Sequence, residues 1–247
     1  AKNVAQIVYD VDAKLILWHR DLSPELQAVA QAPGVENYSF GDHPEAERGG
    51  DFFSIVGGEP ASPPPLVGHP DDLALINYTS GTTASPKGVC CSHSCYFYMS
   101  ESTAIGFDIK PTDRVLEYRA LTWCSPQILS VTPTLQVGAS FVLAKRFSGT
   151  HFFDWVRKYN VTISAGVPTA ITMLLERPHA VTKADLPSLR YMTTSTAPIA
   201  PETFEAFQRR YAIPLVQGCG MSEAGFMFSN DPHAPRRGTV GRRQRNI

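Results

Sequence analysis

Between Ser92 and Gln217 the chain alternates short apolar runs with stretches whose apolar residues fall at helical spacing. Ser92 caps a predicted helix through Tyr96, Met99 and Thr103, and Asp113 to Leu116 opens the next section. Ala139 to Leu143 reads as a strand after the Gly138 turn, Phe152 to Tyr159 as an amphipathic helix, and Val161 to Ala165 as a strand. Pro168 to Leu175 (helix), Leu189 to Thr193 (strand), Pro201 to Tyr211 (helix with Phe204 and Phe207 on one face) and Pro214 to Gln217 (strand) complete the series. Strand and helix in strict alternation bury their apolar faces as layers. The expectation is an α/β architecture of layered or doubly wound sheets with flanking helices and ligands at strand exits.

The first seventy residues carry a shorter version of the same rhythm. Val4, Ile7 and Val8 lie at helical spacing, Lys14 to His19 is strand-like, and Ser23-Pro24 starts a helix that Gly34 closes before a strand near Asn37 to Phe40. The stretch 57–70, "GGEPASPPPLVGHP", admits neither helix nor central strand and reads as a linker or surface crossing. With 247 residues and 43% hydrophobic content the chain can bury one large core or two smaller ones. A formal charge of -1 gives no general affinity for nucleic acid or membrane. The arginines at 236, 237, 242, 243 and 245 alternate with Gly, Pro and Gln as in a solvated loop. No apolar stretch reaches membrane-spanning length and the first residues lack a signal-peptide layout, so a cytoplasmic protein is expected. Cys90, Cys91, Cys95, Cys124 and Cys219 are odd in number and form no disulfide framework. Without a distant second Cys/His pair they read as buried thiols rather than a metal site.

Leu73 to Ile76 follows the Pro70 to Asp72 turn and reads as a buried strand feeding "YTSGTTASPKG", Tyr78 to Gly88. Hydroxyls, glycines and one lysine expose many hydrogen-bond donors with little bulk, which suits a polyphosphate. The Walker spacing is absent. The order of residues resembles the signature loop of the adenylate-forming, AMP-binding superfamily, Tyr-Thr-Ser-Gly-Thr-Thr-Gly-x-Pro-Lys-Gly. Of ten fixed positions only Ala84 departs. A glycine there serves a positive φ, so Ala84 is expected to be strained.

Other segments carry the resemblance further. "QGCGMSEAG", Gln217 to Gly225, is similar to the hallmark Gly-Tyr-Gly-x-Thr-Glu, with Cys219 in place of the aromatic and Ser222 in place of the Thr. "TTSTAPIAPETF", Thr193 to Phe204, resembles the Gly-Ala-Ala-Pro-Leu segment beside the adenine, and an ordinary strand-to-helix turn fits the same residues. Gly166-Val-Pro-Thr169 resembles a turn beside the acyl pocket. His93 matches a histidine common in the family, or simply starts a helix. The segment Ala120 to Leu143 resembles the one beginning Pro-Leu-Phe-His in acyl-CoA synthetases, with Trp123 at the histidine position. Together with Gln127 and the segment Lys145 to Tyr159 it resembles the carnitine-CoA ligase-like, medium-chain subgroup, which implies fatty-acid metabolism. Core packing and pocket wall stand side by side as readings of Trp123.

The resemblance implies an acid-thiol ligase that activates a carboxylic acid with ATP and passes it to CoA. Thr79, Ser80, Gly81, Thr82, Thr83 and Lys87 would hold the β and γ phosphates, Ser222 the α-phosphate, and Glu223 a Mg2+ ion. Ser195, Thr196, Ala197, Pro198, Cys219, Gly220 and Met221 would surround the nucleotide. Trp123, Gln127, Gly166 and Pro168 would border the acid, and Lys87, Ser222 and Glu223 would be the catalytic set. The match spans 1–247 as part of a large N-terminal domain. The ribose-binding Thr-Gly-Asp and the small C-terminal domain are not in this sequence, so the chain alone is expected to be inactive. A peptide-synthetase adenylation domain and a non-catalytic nucleotide-binding or interaction module are the rival readings.

Overall fold

The computed structural model describes residues 2–41, 52–57, 62–63, 65–79, 86–177 and 179–245. It divides into two compact units, Ala1–Val67 and Gly68–Ile247. Ser80, Gly81, Thr82, Thr83, Ala84 and Ser85 lie outside the described residues, as does part of the stretch 57–70.

In the first unit α1 (Lys2–Asp10), β1 (Leu15–His19), α2 (Pro24–Ala30), β2 (Glu36–Phe40) and α3 (Phe52–Val56) succeed one another. Strands β1 and β2 pair in parallel, with Trp18 opposite Ser39. Trp18 is buried, and its indole N-H donates to Asn37 Oδ1 at 3.3 Å. Ser23 holds the cap position of α2 in extended conformation but makes no side-chain cap bond.

The second unit begins with a hairpin, β3 (Leu73–Thr79) and β4 (Lys87–Ser92), paired as a sheet of its own with Thr79 opposite Lys87. Then come α4 (His93–Gly106), β5 (Arg114–Glu117), α5 (Cys124–Pro126), a π turn at Gln127–Val131, α6 (Thr132–Val137) and β6 (Ser140–Leu143). The remainder is α7 (Phe152–Lys158), β7 (Ile163–Ser164), α8 (Pro168–Glu176), β8 (Tyr191–Thr194), α9 (Pro201–Tyr211), β9 (Leu215–Met221), β10 (Gly225–Ser229) and β11 (Arg242–Arg243).

Seven of these strands form one sheet in the order β11-β10-β9-β8-β7-β5-β6. From β6 to β9 the pairing is parallel, and β10 and β11 add antiparallel edges. Successive residues of a strand point to opposite faces, and here both faces are covered. Leu116, Met192 and Leu215 enter one core with Phe152, Phe153 and Val156 of α7, Ile171 and Leu174 of α8, and Phe204, Phe207 and Tyr211 of α9. Their neighbours Val115, Tyr191 and Val216 enter a second core with Met99 and Ala104 of α4 and Ile128 and Leu129 of the π turn. Parallel strands buried on both faces read as continuous apolar runs, and that is how they read in the sequence.

Two expectations are corrected. The stretch Leu73 to Ile76 is a strand that runs on to Thr79 at the signature loop, but it is not buried: Leu73 is 57% exposed, and the segment is one arm of a hairpin outside the main sheet. Nor does the last strand end at Gln217. It continues to Met221 and turns into β10, so the second glycine-rich motif forms a hairpin. Gly220 permits this, because a Cβ there would lie 2.4 Å from the Gly225 carbonyl oxygen. The thiols also divide: Cys91 and Cys124 are buried, whereas Cys90 is exposed.

Candidate functional site

Segments that leave the C-terminal ends of β5, β8 and β9 border the candidate site. Helix α4 brings the first hairpin there. Ser92 accepts from the Cys95 N-H at 3.2 Å, the Ser94 N-H donates to Pro70 O at 2.8 Å, and the His93 N-H donates to Asp72 O at 3.1 Å. These bonds use three of the donors that a helix N-terminus leaves open and tie the root of β3 to α4. His93 is thus the first residue of the helix, with its side chain exposed.

A cavity of about 570 Å³ lies where three segments meet. One wall is the end of β3, with Asn77, Tyr78 and Thr79; another is Ser195 and Thr196 after β8; the third is the turn of the second hairpin, with Gly220, Met221, Ser222, Gly225 and Phe226. Thr122 to Ser125 and Ile128 close it. The structure thereby gathers Thr79, Trp123, Ser195, Thr196, Gly220, Met221 and Ser222 around one space. Glu223 is exposed on the same turn, and its charge is among the causes that raise the Cys124 thiol. Lys87 is exposed at the start of β4, its carbonyl accepting from the Thr79 hydroxyl at 3.5 Å. Ala197, Pro198 and Cys219 are not among the residues lining the cavity.

A second cavity of about 180 Å³ lies beyond Trp123, against Tyr118, Arg119, Phe147, Val167, Thr169 and Met173. Trp123 is 55% exposed and lines both cavities, so it is a wall rather than core. Gln127 is occupied structurally: it accepts from Tyr96 OH at 2.9 Å and donates to Leu121 O at 2.8 Å, fixing the Trp123 loop to α4. Gly166 is packed against β8, with its N-H donating to Thr193 Oγ1 at 3.1 Å and only 2.7 Å between an added Cβ and Thr193 O. Pro168 begins α8. Neither Gly166 nor Pro168 lines either of these cavities.

Beneath Trp123 lies an ion pair that the sequence did not announce. Glu117 is wholly buried at the end of β5 and receives two bonds from Arg119, Nε at 2.9 Å and Nη2 at 2.6 Å. The Tyr118 and Arg119 N-H groups and the Ser130 hydroxyl also donate to it. The remaining Arg119 donor reaches Ser125 Oγ at 2.9 Å on the cavity wall. A buried pair persists only when its partners and spare donors are satisfied in this way.

Two features mark the cavity as a candidate ligand site. Asn77 Nδ2 and Ser195 Oγ are buried with no hydrogen-bond partner among the described residues, a cost of about 1–3 kcal/mol each that an incoming polar group would remove. Thr196, β-branched, holds φ at 73°, in the left-handed region such residues avoid. Backbone strain of this kind concentrates at functional sites. The Cys124 thiol on the cavity wall is pushed up to about 11, first by burial and then by the charges of Cys91, Glu223 and Cys95. Asn77 and Arg119 were missed from the sequence. A signal existed for Asn77, a lone polar side chain in an apolar run.

The family model described as AMP-binding enzyme matches residues 1–247. A sulfoacetate-CoA ligase of Cupriavidus necator is 34% identical over 183 residues, covering 73% of this chain and 35% of that protein. An oxalate-CoA ligase of Arabidopsis thaliana is 27% identical over 244 residues, covering 94% of this chain and 46% of that protein. The ATP-bound structure of MatB from Rhodopseudomonas palustris superposes with a TM-score of 0.85 at 23% identity, covering 98% of this chain and 47% of that one. The chain thus spans about a third to a half of the proteins it matches, and the superposition extends the shared layered α/β fold over nearly all of it. By the match of the family model along its whole length, this chain belongs to the AMP-binding enzyme family.

Proposed function

We propose that this chain forms the nucleotide- and acid-binding part of an AMP-forming acid-thiol ligase. One observation carries the reading: a single cavity joins the end of the signature strand, the segment after β8 and the turn of the second glycine-rich hairpin, with unpaired buried polar atoms on two of its walls. In this reaction a carboxylate oxygen attacks the α-phosphorus of ATP, pyrophosphate leaves, and the CoA thiol then displaces AMP from the acyl adenylate. Thr79, the loop 80–85 and Lys87 hold the β and γ phosphates. Ser222 donates to the α-phosphate, and Ser195 and Thr196 border the nucleotide.

Among the described residues no three His, Cys, Asp or Glu side chains gather as a metal cage. A lone exposed Glu223 beside bound phosphates instead suits Mg2+, which keeps waters and takes one or two carboxylates plus phosphate oxygens. When bound, the ion neutralises charge developing on the phosphates. The protein's own share is positioning and hydrogen bonding in a shaped cavity. Trp123 and the smaller cavity behind it border the acid. Among the described residues no helix is long and apolar enough to cross a membrane. The five free thiols suit the reducing cytoplasm, where we place the reaction.

Titration calorimetry with MgATP tests the assignment. Lys87→Ala and Glu223→Ala should each weaken binding about tenfold or more, as charge-assisted contacts do. Unchanged affinity in both variants would remove the nucleotide from this cavity.

A further inference from the structure

Strand β3 changes character along one face. By the two-residue alternation of a strand, Leu75, Asn77 and Thr79 share that face. Leu75 packs against the core that holds Cys91, Met99 and Tyr96. Thr79 is the last strand residue before the phosphate loop, and it lines the cavity. Asn77 stands between them at 6% exposure, lining the same cavity, with its Nδ2 unpartnered among the described residues. A leucine would fill that position without an orphaned donor. Ser195, 2% exposed across the cavity, likewise leaves its Oγ unpartnered.

We propose that Asn77 is a ligand-binding residue, its amide donating together with the Ser195 hydroxyl to the phosphate that stays with AMP. The proposal rests on the nucleotide reading above and sharpens it. Two residues of strand place Asn77 about 6.6 Å behind Thr79 along β3. The terminal phosphates belong to the loop that begins at Thr79, so the donor further back meets the part of the ligand that does not leave. An acceptor oxygen there satisfies a group already stripped of water, and the protein gives up no hydration to bind it.

The experiment measures melting without ligand and the affinities for AMP and for MgATP. It compares the 247-residue chain with Asn77→Leu, Asn77→Asp and Lys87→Ala. Asn77→Leu should melt no lower than the parent, since it removes an unsatisfied donor, yet bind AMP and ATP about tenfold more weakly, by the same factor for both. Asn77→Asp, of the same shape, should lose at least as much by setting a carboxylate against phosphate. Lys87→Ala should weaken ATP and leave AMP unchanged. If both Asn77 variants bind AMP as the parent does while Lys87→Ala still loses ATP, the Asn77 assignment falls and the nucleotide site stands. If the parent binds neither nucleotide, both fall.

Discussion

Two antiparallel hairpins flank the cavity, and they are held in place by different means. The hairpin of β9 and β10 grows out of the main sheet: Leu215 to Gly218 are buried in β9, paired with β8 on one side and β10 on the other. Among the described residues the hairpin of β3 and β4 pairs only with itself, and β3 is exposed at Leu73 and Ala74 and mostly half-buried beyond them. This hairpin is tied to α4 through Pro70 to Asp72, and Leu75, Val89 and Cys91 pack it on the core beneath. A strand paired on both sides in a doubly covered sheet is held along its length, whereas β3 and β4 are held by each other and by their packing on α4. The second glycine-rich turn is thus carried by the main sheet, and the strands that bracket the signature segment are carried by α4 and the core beneath it.

The largest effect should come from the foundation of the rooted side. Arg119→Met leaves the wholly buried Glu117 without its cation, and breaking such a pair costs about 3–5 kcal/mol. Denaturant unfolding checks it, and a loss under 1 kcal/mol would mean that the other donors hold Glu117 unaided. Next is a matched pair of glycines. Gly220→Ala drives a methyl to 2.4 Å from a backbone oxygen that cannot yield and should cost about 1–3 kcal/mol. Gly88→Ala on the first hairpin meets the Ile76 side chain at 2.9 Å. Ile76 is stiff at its branch, and Tyr78 lies at 3.3 Å on the same side, but side chains yield more readily than a backbone oxygen, so the cost should be smaller than at Gly220, about 1 kcal/mol. Equal losses would erase the distinction between the hairpins.

A gain is expected at Thr196. Glycine at φ 73° relieves about 1–2 kcal/mol of left-handed strain and returns part of it as chain entropy. Thr196→Gly should therefore raise stability by up to about 1 kcal/mol while weakening nucleotide binding. A lower melting temperature would show that the threonine is not strained.

The smallest effect concerns acid. Burial alone would raise the Asp108 carboxyl, but Lys110, Arg190 and His233 outweigh it and hold the group below its ordinary value of 3.8. The unfolded chain thus takes up this proton first as pH falls. The contribution of Asp108 is complete above pH 3.8 and is lost as the pH drops through the lower folded value. Asp108→Asn should flatten the stability profile below pH 3.8 and nowhere else.

The sheet was legible because parallel strands covered on both faces are written as apolar runs, and α9 begins and ends where Pro201 and Tyr211 suggested. The hairpins were not. A strand that continues through Gly218 to Gly220 reads as a loop, because what holds it is a close backbone approach and not side-chain pattern. Residue types and order marked the walls at Thr79, Ser195 and Ser222, which the topology then brings together. Gln127 looked like a pocket residue, yet both ends of its amide are spent inside the protein. Glu117 and Arg119 read as ordinary charges beside a strand, since nothing along the chain says that Ser130 will fold back to meet them. In Thr196 the signal was present, a branched residue where small ones are usual, and its strain became visible only with the backbone.

The π turn at Gln127–Val131 has a consequence for length changes in this region. Such a turn is an α-helix that has accepted one extra residue, here between α5 and α6, with the Thr132 hydroxyl bonding Gln127 O at 2.8 Å. Deleting a single residue from it would restore regular winding with α5 and α6 kept in nearly the same phase, because a five-residue π turn sweeps about the same angle as four α residues, and the change would fall within the turn itself. Ile128 on the cavity and Ser130 on Glu117 could not then both keep their places. A one-residue deletion at this point should accordingly act like a substitution at two distant sites at once, emptying part of the cavity floor and stripping a donor from the ion pair beneath it.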